Sequence, residues 1–300
     1  MMPYYVGIDG GGTKTAVELR TRGSAAHSRA VFGPLNCNSD RTAAAKALTD
    51  TLAWLAAQPE GLTGCDGLCI GSAGISNPDA YNFIQDIIRA GGYTGPLQIV
   101  GDQVTALAGA LGQPVGTVLI AGTGSICYAR TADGREARSG GWGHLIGDEG
   151  SGYALGRDAL AAVARAWDGW GEKTLLSRLL AEQMKLDDQK KIISYTYGGD
   201  KSRIAALAPL VEQAAGQGDG VALAIIRDNA VKMTGLVGAV ARQLDIRAGK
   251  VAMLGGLLEH DTKLRETFVA EMGRQYPALT CTEPEQDAAA GALMLAKEML

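Results

Sequence analysis

The sequence predicts an α/β protein built from two similar halves, each with a mixed β-sheet flanked by helices. The chain has 300 residues, about twice the length of a typical domain. Strand-like runs alternate with helical segments, an order typical of sheets covered by helices. A unit of strand, Gly/Thr-rich turn and strand occurs twice, as IDGGGTKTAVELR (8–20) and IAGTGSICYAR (120–130). This repetition indicates duplicated halves around a central cleft.

The first half is predicted to begin with three strands, followed by helices that alternate with two more strands. The first run is mostly apolar, and the second alternates apolar and polar residues, as a half-buried strand does. Ser39 or Asp40 can cap the first helix. The predicted strands are 4–9, 15–21, 26–32, 66–74 and 97–102, and the predicted helices are 40–57, 78–90 and a short one that ends at 111.

The second half starts with the repeated strand–turn–strand unit and is then mostly helical. Asp219 precedes an apolar periodic run and predicts the start of the longest helix. The predicted strands are 116–121, 126–130, 251–254 and 279–281. The predicted helices are 152–168, 172–185, 202–216, 219–244, one after Gly256, and a terminal helix from Asp287.

Composition and charge exclude several classes of function. Lys and Arg number 28 and Asp and Glu 32, for a net charge of −4 with no basic stripe, so nucleic acid is not an expected partner. No apolar run reaches the roughly 18 residues of a membrane span, and no basic segment of the signal-peptide kind precedes the first strand. Five scattered cysteines suit reduced thiols, so a cytoplasmic protein is expected. Cys65 and Cys69 have no histidine near them and are expected to be buried thiols.

The two glycine-rich turns are candidate phosphate sites, because bare backbone N–H groups can approach oxygens closely. Thr13 interrupts the Gly-Lys step of a Walker A loop, and Thr15 stands where a dinucleotide-binding turn needs its third glycine. What remains is a phosphate-binding β-hairpin with Asp9 at the end of its first strand, and the hydroxyls of Thr13, Thr15, Thr123 and Ser125 add donors. An acidic residue beside phosphates indicates Mg²⁺, which prefers oxygen ligands.

Several segments resemble, in order, the motifs of the superfamily of sugar kinases, heat-shock ATPases and actin. The two turns resemble its two phosphate motifs, and GDQVTALAGAL (101–111) resembles the connecting helix that carries a catalytic Asp. LGG (254–256) resembles the adenosine motif, and DAAAGAL (287–293) resembles the final helix. The most discriminating stretch is SGGWGHLIGDEGSGYALG (139–156). It resembles the signature of N-acetylglucosamine kinases, in the BadF/BadG/BcrA/BcrD ATPase group.

This resemblance implies two ribonuclease-H-like domains, as in actin-like ATPases, with ATP and a sugar in the cleft between them. The domains are expected at 1–114 with the terminal helix 286–300, and at 115–285. The resemblance implies ATP and Mg²⁺ as cofactors, with Asp9 at the metal and Asp102 as the general base for a sugar hydroxyl. The implied sugar-binding residues are Asn36, Ser72, Asp102, Gly141, Trp142 and Asp148, and the implied ATP-binding residues are Gly11, Gly12, Thr13, Lys14, Thr15, Gly122, Thr123, Gly124, Ser125, Gly255 and Gly256.

Several of these residues also have ordinary structural explanations. Asp102 lies between a strand and a helix, where Asp often serves as an N-cap. Asp148 could accept hydrogen bonds from sugar hydroxyls, cap the next helix or lie in a solvated turn. Trp142 could cover an apolar sugar face or anchor the core. Asn36 could bind the sugar or shape a turn, and Asn38 is an alternative ligand.

We therefore expect an ATP-dependent kinase that converts an amino sugar to its 6-phosphate. N-acetylglucosamine is the expected substrate. Glucosamine and N-acetylmuramic acid are alternative substrates. A second hypothesis is a dehydratase or reductase activator ATPase, which would hold an iron–sulfur cluster through cysteines, although the cysteines here form no cluster motif. A non-catalytic sugar sensor is a third hypothesis. The expected partners are ATP and the small sugar. The family resemblance also suggests a homodimer.

Overall fold

Two five-stranded mixed sheets, each flanked by helices, make up the computed structural model, which describes residues 2–24, 26–75 and 77–299. The predicted arrangement of mixed sheets and helices is thereby confirmed. Met1 and Leu300, which bound the predicted domains, lie outside the described residues. The chain divides into unit 1, Met1–Gly116 with Pro284–Leu300, and unit 2, Thr117–Glu283. Among the helices of the described ranges, none combines the length and hydropathy needed to cross a bilayer.

Ten strands and twelve helices follow one another along the described part of the chain. The strands are β1 (Tyr4–Gly10), β2 (Thr15–Thr21), β3 (His27–Phe32), β4 (Cys65–Ser72), β5 (Leu97–Gly101), β6 (Gly116–Ala121), β7 (Ser125–Arg130), β8 (Glu136–Gly140), β9 (Gly249–Leu254) and β10 (Leu279–Thr282). The helices are α1 (Arg41–Ala56), α2 (Pro78–Ala90), α3 (Asp102–Leu111), α4 (Gly152–Trp167), α5 (Leu175–Met184), α6 (Gln189–Tyr197), α7 (Lys201–Ala205), α8 (Ala208–Gly216), α9 (Gly220–Leu244), α10 (Gly256–Glu259), α11 (Lys263–Gln275) and α12 (Ala288–Glu298). A short 3₁₀ turn covers Leu62–Gly64.

In unit 1 the strands lie in the order β3-β2-β1-β4-β5, and β1, β4 and β5 run parallel. The hairpin pairs β1–β2 and β2–β3 are antiparallel. The register places Asp9 of β1 beside Gly71 of β4, and Ser72 of β4 beside Gly101 of β5. The carboxyl ends of the three parallel strands therefore meet at one edge, where α/β sheets commonly bind ligands.

Different helices cover the two faces of the unit 1 sheet, because successive side chains of a strand point to opposite faces. Ile8 belongs to a buried cluster with Leu48 of α1 and with residues of α2. Tyr5 belongs to another cluster with Ala108 of α3 and Leu293 of α12. Helices α1 and α2 thus pack on one face, and α3 and the terminal helix α12 pack on the other.

The terminal helix α12 packs so closely on β1 that glycine is required beneath it. A Cβ on Gly7 would overlap backbone atoms of Ala289 and Leu293. Two residues earlier in the register, a Cβ on Gly67 of the neighbouring strand would lie 2.7 Å from the carbonyl oxygen of Ala296. Strand β1 and helix α12 therefore run in opposite directions, and the carboxyl end of β1 lies beside the N-terminus of α12.

We expect Gly7→Ala to destabilise the protein by about 1–3 kcal/mol, the usual cost of overpacking, because the backbone of α12 must move to admit a methyl group. The melting temperature should fall by roughly 2–4 °C for each kcal/mol in a domain of this size. Gly33→Ala is the matched control, since Gly33 lies in the same unit and a Cβ there has no atom within 4 Å. Equal melting temperatures for the two variants would contradict this close packing.

In unit 2 the strands lie in the order β10-β9-β6-β7-β8. Strands β6, β9 and β10 are parallel, and β7 and β8 are antiparallel. Residues of α4, α5, α8, α9 and α11 form one buried cluster with this sheet. The register places Ile120 beside Leu254, so the turn after β6 and the loop after β9 are neighbours.

Several elements depart from the predictions, among them the single helix expected after Gly256, which is two helices, α10 and α11. Strand β8 is absent from the predicted strands, because its sequence EARSG has few apolar residues and its pairing with β7 decides its conformation. Helix α6 is also absent from the predictions, and none of its residues is buried, so no apolar periodicity marks it. The single helix predicted at 202–216 is two helices, α7 and α8. Pro209 in the first turn of α8 lacks the N–H group that a continuous helix needs.

Candidate active site

The turn between β1 and β2 presents unpaired backbone N–H groups. The N–H of Gly11 donates to the carbonyl oxygen of Lys14 at 3.0 Å, and the carbonyl oxygen of Gly11 accepts from Leu35 at 2.9 Å. The N–H groups of Gly12, Thr13 and Lys14 donate to no backbone atom of the described residues, and all three residues are exposed. Such a row of N–H groups is suited to hold phosphate oxygens.

Three hydroxyls predicted to face ligands are used inside the protein instead. Thr15 is buried and donates to the carbonyl oxygen of Gly33 at 2.7 Å. Ser72 is buried and donates to the carbonyl oxygen of Leu35 at 3.3 Å. In unit 2, Ser125 is buried and donates at 2.7 Å to a carbonyl oxygen in the loop before α4. Each of these hydroxyls donates within the protein, and the predicted contacts of Thr15 and Ser125 with ATP and of Ser72 with the sugar stay predictions.

Asp9 lies on the face of the sheet that α3 and α12 cover, two residues beyond Gly7 on β1. Burial raises the pKa of Asp9 to about 6, and the negative charges of Asp102 and Asp287 act in the same direction, against the ammonium of Lys14. The Asp9 carboxylate is thus poorly solvated and has acidic neighbours. These are conditions in which binding a cation stabilises the charged form.

Asp9 offers one metal ligand rather than a complete set. Across residues 2–24, 26–75 and 77–299, no three His, Cys, Asp or Glu side chains come together as a metal site. Mg²⁺ usually keeps several waters and binds through one or two carboxylates together with substrate phosphates. Asp9, beside a turn with unpaired N–H groups, fits this mode of binding. The five cysteines are free thiols, and four of them are buried.

Asp102 is the first residue of α3 and directly follows β5. The N-cap of α3 is Gly101, without a side-chain cap bond, and Oδ1 of Asp102 accepts from the N–H of Gln103 at 3.0 Å. The N-cap explanation of Asp102 is therefore wrong. Burial raises the pKa of Asp102, although backbone N–H groups that donate to it oppose the shift. A carboxylate with a raised pKa is better able to accept a proton.

Asn36 shapes a turn and keeps its amide group for further contacts. Oδ1 of Asn36 accepts from the N–H of Asn38 at 3.1 Å, as in an Asx turn. Nδ2 of Asn38 donates to the carbonyl oxygen of Gly74 at 3.1 Å, and its Oδ1 accepts from Asn77 at 3.3 Å. The side chain of Asn38, the alternative sugar ligand, is thus already engaged within the protein, and Asn36 is the better candidate.

In unit 2 the turn after β6 is anchored to the start of α4. The N–H of Gly122 donates to the carbonyl oxygen of Gly124 at 2.9 Å. The carbonyl oxygens of Gly122 and Thr123 accept from Gly152 at 2.8 Å and from Tyr153 at 3.3 Å. Thr123 is exposed, and the N–H groups of Thr123 and Gly124 have no backbone acceptor in the part of the chain that the structure describes. This turn therefore offers phosphate donors of the same kind as the hairpin of unit 1.

Asp148 is buried where the glycine-rich loop meets this turn. It is 3% exposed and adopts a φ of +64°. Its Oδ1 accepts from the N–H of Ser125 at 3.2 Å, and its Oδ2 lies 3.6 Å from Nζ of Lys201 with no hydrogen-bond partner among the described residues. A Cβ on Gly124 would lie 2.8 Å from this carboxylate. Because Ser151 caps α4, the cap and solvated-turn explanations of Asp148 are wrong.

The loop between β8 and Asp148 exposes apolar side chains. Trp142 is 66% exposed, and the guanidinium of Arg138 lies 5.2 Å from its ring centroid. The core-anchor explanation of Trp142 is therefore wrong. Gly141, directly before it, has a φ of +70°, a conformation that favours glycine. An exposed indole of this kind can cover an apolar face of a ligand.

Gly255 and Gly256 follow β9 and lie next to the turn after β6. Gly255 has a φ of +90°, and a Cβ there would overlap the carbonyl group of Ala121. Its N–H donates to Oε1 of Glu259 at 2.7 Å. A Cβ on Gly256 would have no atom within 4 Å, so the loop presents an open backbone surface of the kind that an adenosine motif needs.

Two residues of the site were missed by sequence reasoning. Lys201 reaches Asp148 only because α7 packs on α4, and no local pattern signals that contact. Glu259 stands four residues after Gly255, within one helical turn, and this spacing could have identified it as the acceptor for the N–H group of Gly255.

Comparison with known proteins identifies an ATPase family and several kinases of amino sugars as similar to this chain. Residues 6–296 match the model of the BadF/BadG/BcrA/BcrD ATPase family. An N-acetylmuramic acid/N-acetylglucosamine kinase of Clostridium acetobutylicum is 36% identical over 302 residues, which cover 99% of each chain. The N-acetyl-D-glucosamine kinase of Dictyostelium discoideum is 29% identical over 97% of each chain. A solved structure of a proposed N-acetylglucosamine kinase from Chromobacterium violaceum has a TM-score of 0.80 and 29% identity, and covers 98% of this chain and 99% of that one.

Proposed function

Because the chain belongs to the BadF/BadG/BcrA/BcrD ATPase family, we propose that it is an ATP-dependent kinase of an amino sugar. The reaction transfers the γ-phosphoryl group of ATP to the 6-hydroxyl, with N-acetylglucosamine as the preferred substrate. The observation that carries this proposal is the position of Asp102, which begins α3 at the same sheet edge as Asp9 and the phosphate-binding turn. The full-length similarity to kinases named for N-acetylglucosamine supports the choice of sugar.

In this proposal unit 1 handles the reacting groups. The 6-hydroxyl oxygen bonds to the γ-phosphorus, the bond to the bridging oxygen of ADP breaks, and Asp102 accepts the hydroxyl proton. The N–H groups of Gly12, Thr13 and Lys14 hold phosphate oxygens. Asp9 holds Mg²⁺, which supplies positive charge to the phosphates. Phosphoryl transfer depends mainly on positioning and charge stabilisation, and these groups provide both.

Unit 2 provides a second set of contacts in the same proposal. The N–H groups of Thr123 and Gly124 hold phosphate oxygens, and the open backbone at Gly256 faces adenosine. The Oδ2 atom of Asp148, which has no hydrogen-bond donor among the described residues, accepts from a sugar hydroxyl. Trp142 covers an apolar face of the sugar. Taken by itself, unit 2 therefore offers proposed ligands for a nucleotide and for a sugar.

A coupled ADP-release assay over a panel of hexoses, amino sugars and acylated amino sugars tests the proposed function. We expect turnover with N-acetylglucosamine and slow turnover with glucose, while glucosamine and N-acetylmuramic acid are the alternative substrates. Phosphorus NMR of the product should show a 6-phosphate. Absence of sugar-dependent ADP release, together with iron in the purified protein, would contradict the kinase and support the activator ATPase.

A further inference from the structure

Arg29, on the edge strand β3, joins two carboxylates in a forked ion pair. Its Nε donates to Oε2 of Glu18 at 3.1 Å, and its Nη2 contacts the same oxygen. Its Nη1 and Nη2 donate to the two carboxylate oxygens of Asp287 at 2.8 and 3.2 Å. Glu18 is buried, whereas Arg29 and Asp287 are about half exposed. Arginine suits a position between two carboxylates, because its planar guanidinium can form parallel hydrogen bonds to a carboxylate.

Asp287 lies at the N-terminus of α12, close to Asp9. It is the N-cap, and its Oδ1 also accepts from the N–H of Ala290 at 3.0 Å. Strand β1 and helix α12 run in opposite directions, with Gly7 beneath Ala289. Asp9, two residues further along the same face of β1, therefore lies beside this cap. In agreement with this placement, the charge of Asp287 contributes to the raised pKa of Asp9.

We propose that Arg29 is a positioning residue of the ATP site, which by pairing with Asp287 neutralises a carboxylate that would otherwise repel the phosphates beside Asp9. This inference rests on the roles proposed above for Asp9 and the phosphate-binding turn. The competing explanation is mechanical: Arg29 fastens α12 to the sheet, and its charge has no effect on ATP.

Two conservative substitutions separate the charge of Arg29 from its geometry. Arg29→Lys keeps the positive charge but cannot form the fork. Asp287→Asn removes the negative charge but keeps the helix cap, because Asn and Asp cap helices about equally well. The double variant Arg29→Met/Asp287→Asn lacks the forked ion pair, the positive charge of Arg29 and the negative charge of Asp287. In every Arg29 variant, Glu18 retains its ion pair with Arg20 at 3.2 Å.

The test is calorimetric binding of a non-hydrolysable ATP analogue with Mg²⁺ to the full-length protein. We expect Arg29→Met to raise the Kd about tenfold, as one uncompensated charge at short range does, and we expect salt to reduce the difference. The double variant should bind about as tightly as the wild type, because in both the two side chains carry no net charge, and Asp287→Asn should bind no more weakly than the wild type. Arg29→Lys should bind close to the wild type.

Equally weak binding by Arg29→Met and the double variant would overturn the electrostatic role, as would an unchanged Kd in Arg29→Met. If Arg29→Met fails to fold, Arg29→Lys decides, because only the mechanical explanation expects it to bind weakly. The assay contains no sugar. Intact binding of the ATP analogue without phosphorylation of any amino sugar would therefore overturn the proposed kinase activity and leave this inference standing.

Discussion

Asp102→Asn should lower kcat by about 10²- to 10⁴-fold, the usual contribution of a general base. The loss corresponds to roughly 3–5 kcal/mol of activation free energy, at about 1.36 kcal/mol for each factor of ten. Asn has the same volume and keeps one acceptor, but it cannot take the proton of the sugar hydroxyl. The KM for the sugar should also rise, because the carboxylate orients the hydroxyl, whereas ATP binding should change little because the proposed nucleotide contacts lie in the glycine turns.

Asp40→Asn is the matched control for this experiment. Asp40 is the N-cap of α1, and its Oδ1 accepts from the N–H of Ala43 at 2.9 Å, a role that Asn can take over. Both variants should melt near the wild-type temperature, and only Asp102→Asn should lose turnover. Near-wild-type kcat in Asp102→Asn would falsify the assignment of the base.

Asp9→Asn should lower kcat by about 10³-fold, because a metal ion stabilises the transition state by several kcal/mol. The neutral amide removes the negative charge that is proposed to hold Mg²⁺, so a higher Mg²⁺ concentration should restore part of the activity. Since burial raises the pKa of the Asp9 carboxyl to about 6, the ionised form destabilises the folded protein near pH 7. Asp9→Asn should therefore melt at the wild-type temperature or above it.

Steady-state kinetics over a range of Mg²⁺ concentrations and thermal melting together check this prediction. Asp50→Asn is a suitable control, because Asp50 is an exposed carboxylate of the same unit that pairs with Lys46 at 2.7 Å. It should change neither the Mg²⁺ dependence nor kcat. Full activity of the wild-type protein in excess EDTA would rule out the metal role of Asp9.

The fold was largely predictable because its central strands and most of its helices carry local signals. Pro78 and the apolar spacing after it predict α2 with the bounds that the structure has. The glycine turns and the apolar runs beside them mark β1, β6 and their hairpin partners. Strand β8 and helix α6 carry no such signal, because pairing with β7 defines the strand and no residue of the helix is fully buried.

The candidate site was predictable in its backbone more than in its side chains. Glycines identify where phosphate donors can lie, because few other residues allow such turns. Whether a hydroxyl at a strand end faces a ligand depends on register and on which carbonyl lies opposite, and these are tertiary facts. The sequence alone therefore does not distinguish the hydroxyls of Thr13 and Thr123 from three others that the structure buries, those of Thr15, Ser72 and Ser125.

The terminal helix has a consequence for how this protein is made. The face of the unit 1 sheet that contains Tyr5 and Cys69 is covered partly by α12, although the whole of unit 2 separates α12 from the first strands in sequence. Domains begin to fold during synthesis, in the order in which they leave the ribosome. Because α12 belongs to unit 1 but is translated after unit 2, unit 2 can finish folding before unit 1 is complete. A nascent chain therefore completes the surroundings of Asp9 only after α12 and its cap Asp287 have been translated, and a ribosome that stalls earlier leaves an apolar face open to chaperones.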